Sequence, residues 1–203
     1  MSIWRELFGP GRKELWQLLS EQTGSEFVAG GLLKADKVVH RYRGWTITLD
    51  TYTVSTGKTS TTYTRIRAPY VGVGGFRFSI HRSGLFSELG MFLGFQDIEI
   101  GSAQFDKAFV VKSNCDETVR ALLSDTQLLN LIDAQPRFDL KIKDDEGWFG
   151  ANFPEDVDML YFSVSGIIKD VEQLKQLFEI FSEMLDRLCT LGVAAEYAPE
   201  TAL

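Results

Sequence analysis

Val171, Leu174, Leu177, Phe178, Phe181, Leu185 and Leu188 recur at intervals of three and four residues. That spacing gathers them on one stripe of an α-helix. Asp170 precedes the stripe with Gln173 three residues on, a variant capping box, and Gly192 supplies the stop. A helix over 171–191 is roughly 31 Å long at 1.5 Å per residue, and a stripe of that length must be buried against something. Immediately upstream, Leu160 to Ile168 is a nearly continuous apolar run. Such a run predicts a strand covered on both faces. An internal strand with the helix laid across one face of its sheet satisfies both segments.

The rest of the chain reads as strands first and mixed elements later. Residues 2–23 predict two helical pieces, broken at Gly9-Pro10-Gly11 and closed by Gly24. Trp45, Ile47, Leu49 and Thr51 alternate with Thr46, Thr48 and Asp50, the period of a half-buried strand. Thr59 to Arg67 is rich in Thr and Tyr, Gly57-Lys58 marks a hairpin before it, and Pro69 is expected to end it. Phe76, Phe78 and Ile80 alternate again, and the short connections predict an antiparallel meander with the strands pairing in order. A short helix is expected at 83–93, extended segments at 96–100 and 107–112, and a helix capped by Ser113 or Asn114 and running through Leu123. A second helix is expected after the Ser124-x-x-Gln127 box. Phe138, Leu140 and Ile142 alternate with Asp139, Lys141 and Lys143, and Trp148-Phe149 is expected to open a return strand. Strands and helices segregated in this way predict an α+β fold: an antiparallel β-sheet, helices packed on one face, and a long C-terminal helix. The chain of 203 residues is read as one domain, with N-terminal helices over 1–24, a β-rich half over 27–104 and a mixed half over 105–192.

Several chemistries find no support. The first 25 residues lack the apolar run of a signal peptide, and no stretch approaches the length of a transmembrane span. With two cysteines, Cys115 and Cys189, the expectation is a cytoplasmic protein with free thiols. Trp4, Phe8 and Trp16 are expected to pack on the domain or a partner rather than on a membrane. There is no G-x-S-x-G elbow, and His40 and His81 read as strand histidines among arginines. Two His and two distant Cys do not make a zinc pattern. Gly72-Val73-Gly74-Gly75 lacks the Lys-Ser/Thr of a phosphate loop and reads as a turn. No cofactor and no metal are expected. The chemistry-bearing alternative is a carboxylate site around Asp97, Glu99 and Asp106, suited to a divalent cation and a hydrolase-like reaction.

Charge is distributed unevenly. The chain carries a net charge of −7, yet residues 34–82 hold nine Lys and Arg against Asp36 and Asp50. Arg41 and Arg43 share one strand parity, Arg65 and Arg67 another, and in-order pairing would bring Arg77 beside them. Tyr42, Tyr63 and Tyr70 lie close in sequence. These five arginines are the candidate binding residues, forming one basic face for an acidic protein segment or an anionic ligand. The competing reading is that the acidic second half of the chain neutralises them. An overall acidic protein disfavours nucleic acid, and self-association stays open. The expectation for Arg65→Glu with Arg67→Glu is lost partner capture at an unchanged melting temperature.

Phe105-x-x-x-Phe109-Val-Val111, then Asp116-Glu117, then Leu122-Leu123, followed by a hairpin and a final helix, resembles an uncharacterised family of bacterial cytoplasmic domains. The resemblance spans roughly residues 100–190. It implies no catalytic motif and no site residue. The sequence reading is thus a non-catalytic binding module.

Overall fold

The computed structural model describes residues 11–31, 35–84, 95–144, 153–197 and 199. The expected first helical piece with Trp4 and Phe8, residues 85–93 of the helix expected at 83–93 and the strand at Trp148-Phe149 lie outside them, while Ser83 and Gly84 form a turn.

Helix α1 (Arg12–Thr23) opens the described chain and buries Leu15, Trp16 and Leu19. Gly24 ends it in the left-handed conformation, at φ 66°, where a Cβ would be strained. Strands β1 (Glu26–Val28), β2 (Lys37–Tyr42), β3 (Trp45–Ser55) and β4 (Ser60–Val71) follow as the expected antiparallel meander. Then come β5 (Phe78–Arg82), α2 (Ala103–Ala108), β6 (Phe109–Ser113), α3 (Asp116–Leu122), α4 (Thr126–Asp133), β7 (Asp139–Lys143), β8 (Val157–Ser165) and α5 (Val171–Thr190).

The eight strands form one sheet in the order β1-β2-β3-β4-β8-β7-β5-β6, and the described pairings are antiparallel. The meander therefore stops at β4. In-order pairing would have set β5 beside β4, but β8 and β7 come between them. The long apolar strand takes the edge of β4, as expected of an internal strand, although it starts at Val157 and ends at Ser165. Gly166, at φ 94°, turns the chain there. Pro69 does not end β4, which runs on to Val71 opposite Val157. The β3 ladder has already finished at Thr48 opposite Arg67, so toward β3 no donor is required of residue 69.

One hydrophobic cluster lies on one face of the sheet. Ile47, Leu49, Ile66, Ile80, Leu140, Leu160 and Phe162 supply its sheet side, and helices α1 to α5 all contribute to its other side. Leu177 and Phe181 of α5 are fully buried, as its periodicity predicted. Asp170 caps α5 by accepting the Glu172 and Gln173 backbone N–H groups. Helix α4 is capped by Asp125, not by Ser124: the Asp125 carboxylate accepts the Leu128 N–H, while the Ser124 hydroxyl donates to the Ala121 carbonyl. The extended segment expected at 107–112 is displaced, since Lys107 and Ala108 close α2 and the strand runs from Phe109 to Ser113.

Candidate binding face of the sheet

Opposite residues of an antiparallel pair point to the same face, so the registers define what the second face carries. One row reads Thr48, Arg67, Tyr161, Lys141, Ser79 and Lys112 across β3, β4, β8, β7, β5 and β6. The next reads Asp50, Arg65, Ser163, Asp139 and His81. A third pairs Tyr52 with Tyr63. None of these residues belongs to the hydrophobic cluster.

Asp50 is the electrostatic centre of this face. Its carboxylate accepts from Arg65 Nε at 2.6 Å and Arg65 Nη2 at 3.0 Å, and from Arg67 Nη2 at 2.6 Å. The Arg67 side chain is only 5% exposed. Burial disfavours its charge and lowers its pKa against the pull of Asp50. Burial also opposes the charge on Arg65, but the bidentate carboxylate outweighs it and the pKa is raised. Arg65 stacks over the Tyr52 ring at 5.0 Å, Tyr52 stacks on Tyr63 at 5.1 Å, and the Tyr161 hydroxyl donates to the Tyr52 hydroxyl at 3.2 Å. Burial and that hydroxyl contact raise the Tyr161 pKa. Lys143 Nζ lies 3.9 Å from the Tyr161 ring centroid and Lys141 Nζ 5.9 Å from it. Lys141 also pairs with Asp139, and Lys112 with Asp97 at 3.5 Å. Arg65, Lys141 and Lys143 thus stand over the rings of Tyr52 and Tyr161, with Arg67 and Lys112 on the same face of the sheet.

The five candidate arginines do not form one exposed face. Arg65 and Arg67 are joined on Asp50. Arg77 lies just before β5, which β8 and β7 separate from β4, and holds Asp158, Nη2 to Oδ1 at 2.7 Å and Nη1 to Oδ2 at 2.9 Å. Arg43 is exposed, reaches Asp186 at 3.1 Å and covers the Tyr42 ring. It sits at φ 49° in the two-residue turn with Gly44. Arg41 is exposed near the β2–β3 turn. Arg77 with Asp158, Arg43 with Asp186 and Arg82 with Asp133 join the basic half to the acidic half. Of the tyrosines, Tyr63 joins the stack, Tyr42 donates to Asp186 at 2.7 Å and Tyr70 is buried.

Lys112, Lys141, Lys143, Tyr52 and Tyr161 escaped the sequence reading. The alternation of Asp139, Lys141 and Lys143 with Leu140 and Ile142 gave their parity. It did not give their neighbours, because β8 joins β4 across more than 80 residues of chain.

The carboxylate alternative does not assemble. The Asp97 side chain is 70% exposed and paired with Lys112, and Glu99 is exposed. Asp106 accepts the N–H groups of Ile100 and Gly101, which fixes a turn. Among the described residues no three His, Cys, Asp or Glu converge as a metal site. His40 stacks on Phe178 at 5.0 Å and meets the Ser25 hydroxyl at 2.9 Å, beside a cleft of about 450 Å³ that Tyr42, Glu179 and Glu183 also line. The Ser25 hydroxyl continues to Thr23, which donates to the Leu19 carbonyl, so this chain of contacts fastens the end of α1 to β2. Burial lowers the pKa of His40 and of His81.

No protein-family model and no curated protein matches the chain. Among solved structures, the crystal structure of the mycobacterial trehalose monomycolate transport factor A, TtfA, is similar in fold. Its TM-score is 0.52 at 10% identity, and the match covers 95% of this chain and 99% of that one. No described helix is long and apolar enough to cross a membrane.

Proposed function

We propose that this chain is a non-catalytic binding module that takes an acidic protein segment on the tyrosine- and cation-bearing face of its sheet. The observation that carries this reading is the registered array of Arg65, Arg67, Tyr161, Lys141 and Lys112 on the face opposite the helices. Cations held over rings are positioned in advance, so little side-chain entropy is lost when a carboxylate arrives. Asp50 fixes Arg65 and Arg67 as the floor, and the lysines of β7 are the groups that meet the partner. The role of the structural neighbour as a transport factor agrees with a binding or accessory task.

The test is fluorescence anisotropy of a labelled oligoglutamate peptide at two salt concentrations, with Lys141→Gln/Lys143→Gln as the comparison. The intact protein should bind, and more weakly at high salt, where screening shortens to roughly 3 Å at 1 M. The double variant should lose affinity severalfold at an unchanged circular-dichroism spectrum. Equal affinity for both proteins, or binding indifferent to salt, would refute the reading. Binding of pyrophosphate in titration calorimetry with no peptide binding would assign the face to a small anion instead.

A further inference from the structure

Strand β2 turns two polar rings toward the helices. His40 lies opposite Ile47 and Tyr42 opposite Trp45, and both partners belong to the hydrophobic cluster. Opposite residues share a face, so apolar side chains are the ordinary occupants of positions 40 and 42. The chain places a histidine and a tyrosine there, both half-buried, and both line the cleft of about 450 Å³ between β2, α4 and α5. That volume is in the range of small-ligand sites.

Hydrogen bonds fix the tautomer of His40. The Thr23 hydroxyl donates to the Leu19 carbonyl at 2.7 Å, which uses its one proton. The Ser25 hydroxyl, 2.7 Å from Thr23 Oγ1, must then donate to it. Ser25 Oγ is left to accept from His40 Nδ1 at 2.9 Å, so Nδ1 carries the hydrogen. Burial lowers the His40 pKa and keeps the ring neutral at pH 7. Nε2 is therefore a bare acceptor, and among the described residues nothing donates to it.

The other polar groups of the wall are acceptors too. The Tyr42 hydroxyl donates its proton to Asp186. Glu179 and Glu183 stand one helical turn apart on α5, and Asp125 joins them from the start of α4. Among the described lining residues Lys175 is the single cation, and its ammonium is bonded to Glu172 at 2.7 Å. Arg187 is 3.7 Å from Glu183, beyond hydrogen-bond reach, and is engaged by the Leu122 and Ala121 carbonyls. Gln127 donates one N–H to Glu179. Phe178, Leu128 and Leu131 complete the wall with apolar surface.

We propose that this cleft binds a small organic polyammonium ion, of the diamine or polyamine class, with its N–H groups on His40 Nε2, Glu179 and Glu183 and its methylene stem along Phe178, Leu128 and Leu131. Ligand donors meet a wall of acceptors, and positive charge meets three carboxylates against one ammonium. The stem covers the apolar surface while the charged ends stay at the polar groups. A metal ion does not fit, since among the described residues no three His, Cys, Asp or Glu converge. The site lies on the helix side of the sheet and is independent of the cation-bearing face.

Titration calorimetry with spermidine at pH 7.5 and physiological ionic strength is the test. The intact protein should bind at a single site. Glu179→Gln/Glu183→Gln should weaken binding about tenfold, as the loss of two partly exposed ion pairs would give. Asp116→Asn/Glu117→Gln removes the same charge outside the cleft and should change the affinity less than about twofold, because screening confines each charge to its surroundings. Nitrogen-15 spectra of the imidazoles need no substitution. The chain has two histidines: the unprotonated Nε2 of His40 should shift as spermidine is added, and His81, on the other face of the sheet, should not. No binding by the intact protein, an equal loss in the two double variants, or a His40 Nε2 that is protonated or indifferent to spermidine would overturn the proposal.

Discussion

Asp50→Ala isolates the electrostatic centre of the outer sheet face. Two guanidiniums share this carboxylate, through three hydrogen bonds of 2.6 to 3.0 Å. Deleting one partner of a buried pair costs about 3–5 kcal/mol, because the remaining charge keeps its desolvation penalty. The lower end applies here. Arg65, at 21% side-chain exposure, recovers some hydration, while Arg67, at 5%, recovers little. A loss of about 3 kcal/mol lowers the melting temperature of a chain this size by roughly 6–12 °C. Urea titration with paired thermal melts measures it. Asp50→Ala/Arg67→Met is the companion variant, because Met keeps most of the side-chain length and removes the charge. It should be more stable than Asp50→Ala alone. A melting temperature for Asp50→Ala within about 2 °C of the parent would place the cost below roughly 1 kcal/mol, and the triad would be an ordinary surface contact. The same geometry revises the expectation for Arg65→Glu with Arg67→Glu: three carboxylates would then share the site, so lost stability, not merely lost capture, is the expected result.

Two further outcomes follow from the packing. A Cβ at Gly72 would lie 2.1 Å from Asp158 Oδ2, so Gly72→Ala must displace the carboxylate that holds Arg77. Its cost should be about 1–3 kcal/mol in urea unfolding, whereas Gly31→Ala, with open space around it, should be near neutral. His40 has its pKa lowered by burial. The unfolded chain therefore takes up the proton first, and the stability held above about pH 6.5 is lost as pH falls through the folded value. His40→Gln should flatten the pH dependence of the urea midpoint between pH 7.5 and pH 5 relative to the parent, and an identical slope would exclude His40 as its source.

Local chemistry in the sequence settled the elements. The three-and-four spacing of Val171 to Leu188, the Asp170 cap and the period-two alternation around Trp45 each report which face a residue turns inward, and that depends only on near neighbours along the chain. The α+β class and the burial of Leu177 and Phe181 were legible for that reason. So was the outward parity of Asp50, Arg65, Lys141 and Lys143. What they meet was not. Arg65 and Arg67 lie on one strand, but whether they face solvent or Asp50 depends on the β3–β4 register. Whether Lys141 reaches Tyr161 depends on β8 entering between β4 and β7. The sequence gathered five arginines of a cation-rich stretch, 41, 43, 65, 67 and 77, into one basic face. The tertiary structure divides them among Asp50, Asp158 and Asp186, and for Arg67 and Arg77 the reason is burial, because a charge carried out of water needs a partner. Strand order is fixed by contacts across more than 80 residues, and no pattern within a single strand encodes it.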